Sequence, residues 1–166
     1  AVREGSTCIV LSDKDFSSQK ASIPSILTVG AVHSHLVKHG LRGYCSLNVE
    51  CSDAMDTHSF AILIGVGATT VNPYLAIDSI YQRFEKKLFG KSDFETCVSK
   101  FKKSIDAGLL KIMSKMGISV ISSYRGGCNF EAVGLSRAIV SDYFPGMSSR
   151  ISGIGIIGIE KKIKEL

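Results

Sequence analysis

The sequence has 166 residues, of which 45% are hydrophobic and 21% charged, with 16 glycines and 3 prolines. This length suits one full domain and is short for two, and the composition excludes a disordered or low-complexity protein. The net charge is a mild +5. Because most lysines lie on the polar sides of predicted helices, we favour a solvated helix face over a nucleic-acid interface. No apolar run reaches the roughly 18 residues of a membrane span.

Five cysteines occur at irregular spacing and without a CxxC pair. An odd number of unpatterned thiols is typical of a reducing compartment, so we expect a cytoplasmic protein. We also expect no signal peptide, because the first residues lack its pattern. The sequence begins at Ala1, within what reads as the approach to a strand, and we therefore expect a piece of a longer protein.

The first part of the chain alternates a strand, a helix and a strand. Residues 7–11 form a short apolar strand. Pro24 suits the first turn of the following helix, and Gly40 ends that helix. Polar and apolar residues alternate over residues 44–51, which predicts a strand with one buried face. The side chains assigned to that face are Cys45, Leu47, Val49 and Cys51.

The next elements follow the same alternation. Asp56 or Thr57 caps a helix that is apolar almost all round and is therefore expected to be buried. Residues 68–71 suit a small strand. Asn72 and Pro73 then read as the N-cap and first position of another helix, which we expect to continue to Gly90.

The last third of the chain begins with the longest predicted helix. Residues 92–95 match a capping box that opens it, and Gly117 is a natural C-terminal cap. Residues 118–124 are rich in β-branched side chains and predict a strand. Residues 129–133 and 137–144 predict short helices, and alternating glycine and isoleucine lead into a charged final helix.

The order of these elements predicts an α/β fold. Alternating βα units form a parallel sheet or a partial (βα) barrel, because parallel strands need crossover helices. About four strands are predicted, and a complete eight-fold barrel needs about 250 residues. We therefore predict a single domain over residues 1–166 that resembles part of a barrel.

Two clusters of possible metal ligands are interpreted as structural. His35 and His39 share a helix face, but the stretch lacks the glutamate of a metalloprotease helix, which favours a polar helix edge. Cys45 and Cys51 lie six residues apart in a predicted strand, so roughly 20 Å separates them and they cannot share a cluster. We interpret both as core thiols and predict no metal site.

Two glycine patterns resemble phosphate loops. Gly65 and Gly67 follow a helix rather than a strand, which is the wrong order for an anion loop and favours a turn. The stretch from Gly153 to Gly158 formally matches GxGxxG. It lacks an acidic residue about 20 positions later, and no second strand follows to complete a dinucleotide site, so we reject a nucleotide cofactor.

The stretch from Ser123 to Gly127 has the most suggestive setting, at the predicted carboxyl end of a strand. Loops at that end bind ligands in α/β folds, and Arg125 could meet a phosphate or carboxylate. We therefore predict Ser123, Arg125, Gly126 and Gly127 as ligand-binding residues. The alternative, which stays open, is that Arg125 ties two loops together.

Several blocks of the sequence, taken together, resemble the large subunit of glutamate synthase. They occur in order over nearly the whole chain, at residues 21–36, 71–76, 108–119, 123–126 with 130–136, and 149–155. The resemblance is to the carboxyl-terminal part of that enzyme's central domain, between its glutaminase and FMN-binding domains.

The resemblance implies a role without catalytic residues in this chain. The family forms two glutamates from glutamine and 2-oxoglutarate, using FMN and an iron–sulfur cluster, and ammonia passes through an internal tunnel. The central domain joins the catalytic domains and helps to wall the tunnel, so the implied partners are the glutaminase domain and the FMN-binding barrel. No cofactor is expected in this chain. If the chain is a non-functional remnant, we expect its exposed apolar faces to make it aggregate or dimerise.

The sequence departs from the family at a few positions. Serine stands at Ser34 and Ser59 where the family tends to have histidine, and Cys128 lies in an altered loop. A drifted copy, a remnant and a distant relative are all compatible with these changes. The alternative function is a free-standing α/β module that binds a small phosphorylated or flavin ligand around Arg125.

Overall fold

The computed structural model describes residues 1–15, 17 and 21–165. Strands alternate with helices in this part of the chain, except for three consecutive helices between β3 and β4. The five strands in this part are β1 (Cys8–Ser12), β2 (Ser46–Glu50), β3 (Thr70–Asn72), β4 (Glu131–Leu135) and β5 (Ser148–Ile154). The α-helices are α1 (Ser25–Lys38), α2 (Thr57–Gly65), α3 (Tyr74–Glu85), α4 (Phe94–Lys115), α5 (Ile121–Tyr124), α6 (Arg137–Tyr143) and α7 (Ile156–Lys164). Short 3₁₀ helices cover Val2–Glu4 and Arg42–Tyr44.

The first sheet has three parallel strands in the order β1-β2-β3. Helix α1 connects β1 to β2, and α2 connects β2 to β3, as parallel pairing requires. The predicted alternation in the central strand is confirmed, because Leu47 is fully buried and its polar neighbours are only half-buried. The other predicted face residues, Cys45, Val49 and Cys51, are also buried.

The second sheet pairs β4 with β5 in parallel, with α6 as the crossover. Two irregularities in the register accommodate the greater length of β5. The strands approach closely at two glycines, since a Cβ atom at Gly153 would lie 2.1 Å from the carbonyl oxygen of Gly134. Parallel sheets and alternating βα units are thus confirmed, and neither sheet closes into a barrel.

One main core joins the first sheet to the helices and to β4. Val29 of α1, Val49 of β2 and Phe144 after α6 belong to the same buried cluster. The rings of Phe60 in α2 and Phe101 in α4 meet edge to face, with centroids 6.4 Å apart. The long helix α4 therefore packs along α2, and Gly117 ends it with a φ of +70°, as predicted.

The strand predicted at residues 118–124 is wrong. The chain turns after Gly117 and forms one helical turn, α5. Its N-cap Val120 and its first residue Ile121 are exposed. Tyr124 is buried and its hydroxyl donates to the carbonyl oxygen of Ala61, at 3.0 Å. The β-branched residues find no strand partner within the described chain, and the tertiary contact of Tyr124 decides the conformation over the local propensity.

The helix predicted at residues 129–133 is also wrong, because β4 occupies most of that stretch. Gly134 has a φ of +79°, which an α-helix cannot contain, and β5 supplies the pairing partner. Smaller shifts concern helix starts and ends. Asp93 rather than Ser92 caps α4, by accepting from the backbone N–H of Thr96. Pro73 rather than Asn72 is the N-cap of α3, which ends at Glu85 rather than at Gly90.

Candidate functional site

The carboxyl edge of the first sheet carries a network of polar side chains, centred on Glu50. One carboxylate oxygen of Glu50 accepts from Ser12 Oγ at 2.8 Å. The other accepts from Lys14 Nζ at 2.7 Å and from Asn72 Nδ2 at 3.2 Å. Hydrogen bonds from Lys14 and then Ser12 hold the pKa of Glu50 below its ordinary value. The network therefore joins the ends of all three strands.

Asp13 continues this network beyond β1. Its Oδ2 accepts from both the backbone N–H and the hydroxyl of Ser52, at 2.8 and 2.7 Å. Burial alone would raise the pKa of Asp13, but the hydrogen bonds from Ser52 outweigh burial and leave the pKa lowered. Burial, and next the neighbouring Asp13, raise the pKa of Tyr74, so the phenol keeps its proton beside the carboxylate.

A cavity of about 220 Å³ opens beside this network, between the strand ends and the start of α1. Asp13 lines this cavity, and its Oδ1 atom is buried with the Tyr74 hydroxyl as a neighbour. Asp53 accepts from the backbone N–H of Ser25 at 3.1 Å and so holds the first turn of α1. The polar lining of the cavity comprises Ser12, Asp13, Asp15, Ser22, Ser25, Thr28 and Glu50.

We predict that Asp13→Asn destabilises the fold by about 1–2 kcal/mol at pH 7, because the Ser52 donors lose a charged acceptor. The pKa of Asp13 is lowered in the folded state. Its stabilisation is therefore complete above the unfolded pKa of about 4 and is lost as the pH falls through the folded pKa. Denaturant unfolding at pH 7 and pH 3 measures both effects.

A matched control for this prediction is Asp15→Asn, at an exposed position on the same loop. This variant should change the free energy of unfolding by less than about 0.5 kcal/mol at either pH. If the deficit of Asp13→Asn is as large at pH 3 as at pH 7, the charge of Asp13 does not carry the effect.

The two candidate cluster cysteines are core thiols, as interpreted. Both Cys45 and Cys51 are buried on the inner face of the sheet. Burial, and next the Asp53 carboxylate, raise the pKa of Cys51 to about 12, so its thiol stays protonated and unreactive.

At the opposite end of the same sheet, which we call the amino edge, Arg42 binds the segments that lead into β2 and β3. Its guanidinium donates from Nη1 to the carbonyl oxygen of Cys45 at 2.6 Å and from Nη2 to that of Gly67 at 2.8 Å. A longer contact of 3.3 Å joins Nη2 to Thr69 Oγ1. The residues bound by Arg42 directly precede β2 and β3. One side chain therefore holds the amino-terminal ends of both strands in place.

Arg42 also orients His33 of α1. Its Nε donates to Nδ1 of His33 at 3.0 Å, so the neutral ring carries its proton on Nε2. Burial, and next the charge of Arg42, lower the pKa of His33. The ring packs against Gly67 and Gly126, where a Cβ atom would lie 2.3 and 2.9 Å from it. Both glycines also have positive φ.

The predicted ligand-binding residues lie in this region rather than at the carboxyl end of a strand. The loop follows α5, and the backbone N–H of Gly126 donates to the carbonyl oxygen of Ile64 at the end of α2. Gly127 bonds back to Tyr124, and Ser123 is exposed. Arg125 Nε is buried without a hydrogen-bond partner. Burial, and to a smaller extent the nearby charge of Arg125, lower the pKa of Arg42. The structural setting predicted for this loop is therefore wrong.

The remaining motifs are placed as follows. The rings of His35 and His39 lie 4.4 Å apart on α1, and Gly65 and Gly67 flank the turn after α2. The stretch from Gly153 spans the end of β5 and the N-cap of α7. In the described part of the chain, no three His, Cys, Asp or Glu side chains converge as metal ligands. None of the described helices is both long and apolar enough to cross a bilayer.

Sequence reasoning missed both polar networks. Asp13 and Glu50 lie at or just after the ends of correctly predicted strands, and the rule that strand ends meet at one edge could have brought them together. Arg42 gave no such signal, because its partners are backbone carbonyl groups and a histidine from three separate segments.

The fold and its two hydrogen-bonded edges define an α/β segment built on parallel sheets. The model of the glutamate synthase central domain matches residues 1–136. The chain is 59% identical to the NADPH-dependent glutamate synthase large chain of Azospirillum brasilense over 165 residues, which cover 99% of this chain and 11% of that relative.

Two further relatives are also glutamate synthases. Identity is 44% to the NADPH-dependent large chain of Bacillus subtilis over 94% of this chain, and 42% to the ferredoxin-dependent glutamate synthase of Spinacia oleracea over 93%. The chain covers 10% of each of these two proteins, so it spans about a tenth of the relatives' length. The chain belongs to the glutamate synthase central-domain family.

Proposed function

We propose that this chain is a structural segment of a glutamate synthase large chain, without catalytic residues of its own. It joins the glutaminase domain to the FMN-binding barrel and forms part of the wall of the ammonia tunnel. FMN and the iron–sulfur cluster are then supplied by other segments. The protein that carries it serves glutamate biosynthesis and nitrogen assimilation.

The observation that carries this proposal is that the polar side chains at both ends of the first sheet bond to other parts of the same chain. At the carboxyl edge, Asp13 and Glu50 bond to neighbouring loops and strands. At the amino edge, Arg42 bonds to two carbonyl groups and His33. These groups fix backbone segments relative to one another, which is what a rigid wall between domains requires.

The proposal extends to domain organisation, with residues 1–166 forming one domain. Two contacts tie the stretch after residue 136 to α1. Ser34 Oγ donates to the carbonyl oxygen of Tyr143 at 3.1 Å, and the ring of Phe144 packs on Gly30, where a Cβ atom would lie 2.4 Å from it. Residues beyond the match to the family model thus share its core.

A chimera tests the structural role. Residues 1–166 replace the matching segment of the Azospirillum brasilense large chain, and glutamine consumption and glutamate formation are measured together. We expect two glutamates per glutamine in the chimera, and no turnover of glutamine or 2-oxoglutarate by the 166-residue chain alone. Turnover by the chain alone, or glutamine hydrolysis in the chimera without matching glutamate formation, would contradict the proposal.

The second candidate is a small-anion site around Ser123, Arg125, Gly126 and Gly127. It is favoured by one observation, the buried Arg125 Nε that has no hydrogen-bond partner. A guanidinium with a free donor, close to the charge of Arg42, attracts a phosphate or carboxylate. On this hypothesis the chain is a free-standing binding module for a phosphorylated or flavin ligand.

Titration calorimetry with inorganic phosphate and with FMN tests the anion site. On this hypothesis binding is stoichiometric, with a Kd of about 1 mM or tighter. It is lost in Arg125→Met and retained in Lys103→Met, which removes an exposed charge from α4. Equal binding by the two variants, or no binding by the unaltered chain, would reject the hypothesis. Circular dichroism confirms that each variant is folded.

A further inference from the structure

His33 lies where three segments of the chain meet. Its ring, on α1, packs against Gly67 in the turn after α2 and against Gly126 in the loop after α5. Arg42 faces the same ring, and its Nε donates to Nδ1 of His33 at 3.0 Å. Arg42 in turn binds the carbonyl oxygens of Cys45 and Gly67. A movement of this one ring would therefore disturb contacts in all three segments.

The hydrogen bond between Arg42 and His33 exists only while the ring is neutral. Nδ1 accepts from Arg42 because it carries no proton, whereas both nitrogens of an imidazolium ring are donors. Protonation of Nδ1 would place a positive charge and an N–H group directly against the guanidinium group of Arg42. Arg125 adds a further positive charge close to Arg42. The folded arrangement thus has no place for a proton on Nδ1.

The other titratable groups near the ring leave this repulsion in place. Burial, and next the charge of Arg42, lower the pKa of His33 from its ordinary value of 6.5, and within the described chain Arg42 is the charged group that acts on this pKa. The Cys45 thiol lies near Arg42. The remaining titratable groups line the cavity beside the ring, and they are His35 and Lys38 of α1, Cys128 of the loop after α5, and Asp142 and Tyr143 of α6.

The ring has space to leave its position. His33 and Gly126 line a cavity of about 700 Å³, so rotation of the side chain into this cavity would remove the ring from between the two glycines. The backbone N–H groups of Gly67 and Gly126 both donate to the carbonyl oxygen of Ile64, at 3.0 and 3.2 Å. These hydrogen bonds belong to the glycines that the ring covers, so water would reach them more easily once the ring has left.

We propose that His33 is an acid-sensitive latch, which joins α1 to the turn after α2 and to the loop after α5 while its ring is neutral and releases both when Nδ1 is protonated. The latch is closed above a pH of about 6.5 and opens as the pH falls below this value, because the released ring takes up a proton more readily than the packed one. This inference goes beyond the proposed function and does not rest on it.

Amide hydrogen exchange of the 166-residue chain, followed by NMR between pH 8 and pH 5, tests the latch. After correction for intrinsic exchange rates, we expect protection of the Gly67 and Gly126 amides to fall at least about tenfold by pH 5, since each pH unit below 6.5 favours the protonated, open form by up to about tenfold. The amide of Val140 in α6, which donates to Ser136, is the internal reference and should change less than about twofold.

Two variants and one titration make the test specific. His33→Asn keeps a side-chain oxygen that can accept from Arg42 but cannot be protonated, so the loss of protection at pH 5 should disappear. His35→Asn removes an exposed imidazole from the same helix and should behave like the unaltered chain. If His33→Asn does not fold, the NMR titration of the His33 ring in the unaltered chain decides, with an expected midpoint below 6.5 that coincides with the loss of protection.

Three results would overturn the latch. The first is full protection of the Gly67 and Gly126 amides at pH 5 in the unaltered chain. The second is an equal loss of protection in folded His33→Asn. The third is a His33 ring that takes up its proton at pH 6.5 or above while both amides stay protected.

Discussion

Phe144→Ala is expected to lower the free energy of unfolding by about 3–5 kcal/mol, the usual cost of removing a buried phenylalanine ring. Phe144 is only 2% exposed and packs against Gly30, in which the missing Cβ makes room for the ring. Denaturant unfolding, followed by far-ultraviolet circular dichroism, measures the loss. Because this ring links α6 to α1, the loss should appear in a single transition of the whole chain.

Phe89→Ala is the matched control, since Phe89 is 37% exposed in the turn after α3. We expect it to cost less than about 1 kcal/mol, as truncation of a partly exposed ring leaves little cavity. A second unfolding transition that Phe144→Ala shifts alone, with the first sheet unaffected, would contradict a single domain over residues 1–166.

The second large effect is expected for Arg42→Ala, with a loss of about 2–4 kcal/mol. The substitution leaves the carbonyl oxygens of Cys45 and Gly67 without their donor, and a polar group left unsatisfied costs more than the hydrogen bond itself contributes. The same variant should raise the pKa of His33, because the charge of Arg42 lowers it. Chemical unfolding and NMR titration of the His33 ring measure the two effects.

Two further variants test why Arg42→Ala lowers the free energy of unfolding. Arg83→Ala removes an exposed arginine of α3 and should stay within about 0.5 kcal/mol of the unaltered chain. Arg42→Lys restores the charge but not the planar set of donors, so it should recover only part of the stability. Full recovery by lysine would show that charge alone, rather than the hydrogen bonds at the amino edge, supports the two strands.

Much of the first sheet could be predicted from the sequence. The alternation around Leu47 is a local pattern, and burial of one face follows from it directly. Capping residues such as Asp56, which accepts from the N–H of Ser59 at 2.8 Å, and Gly117 also act within a few residues of their position. These elements were predicted because their causes lie close together in the sequence.

The second sheet could not be predicted in the same way. The conformation of residues 118–124 depends on the hydrogen bond from Tyr124 to Ala61, which is 63 residues distant. Strand β4 exists because β5 pairs with it and because Gly134 and Gly153 permit close approach. A short stretch of mixed propensity takes its structure from such tertiary partners.

In the candidate site, too, local features can be predicted from the sequence and tertiary contacts cannot. The sequence predicts ligand-binding residues in a loop around Arg125, but the setting of this loop follows from a predicted strand that does not form. The hydrogen bonds of Arg42 join segments up to 27 residues away, and no spacing rule connects a side chain to such distant groups. The resemblance to glutamate synthase, carried by blocks along the whole chain, identified the family that the comparisons confirm.

The most direct test of a purely structural role is the steady-state kinetics of the chimera carrying Asp13→Asn or Arg42→Ala, below the unfolding temperature of each variant. If these side chains only hold the wall together, kcat for glutamate formation should stay within about twofold of the unaltered chimera while thermal stability falls. A loss of about 100-fold or more in kcat, in a fully folded variant, would show that the residue contributes to turnover beyond stabilising the fold and would contradict the account.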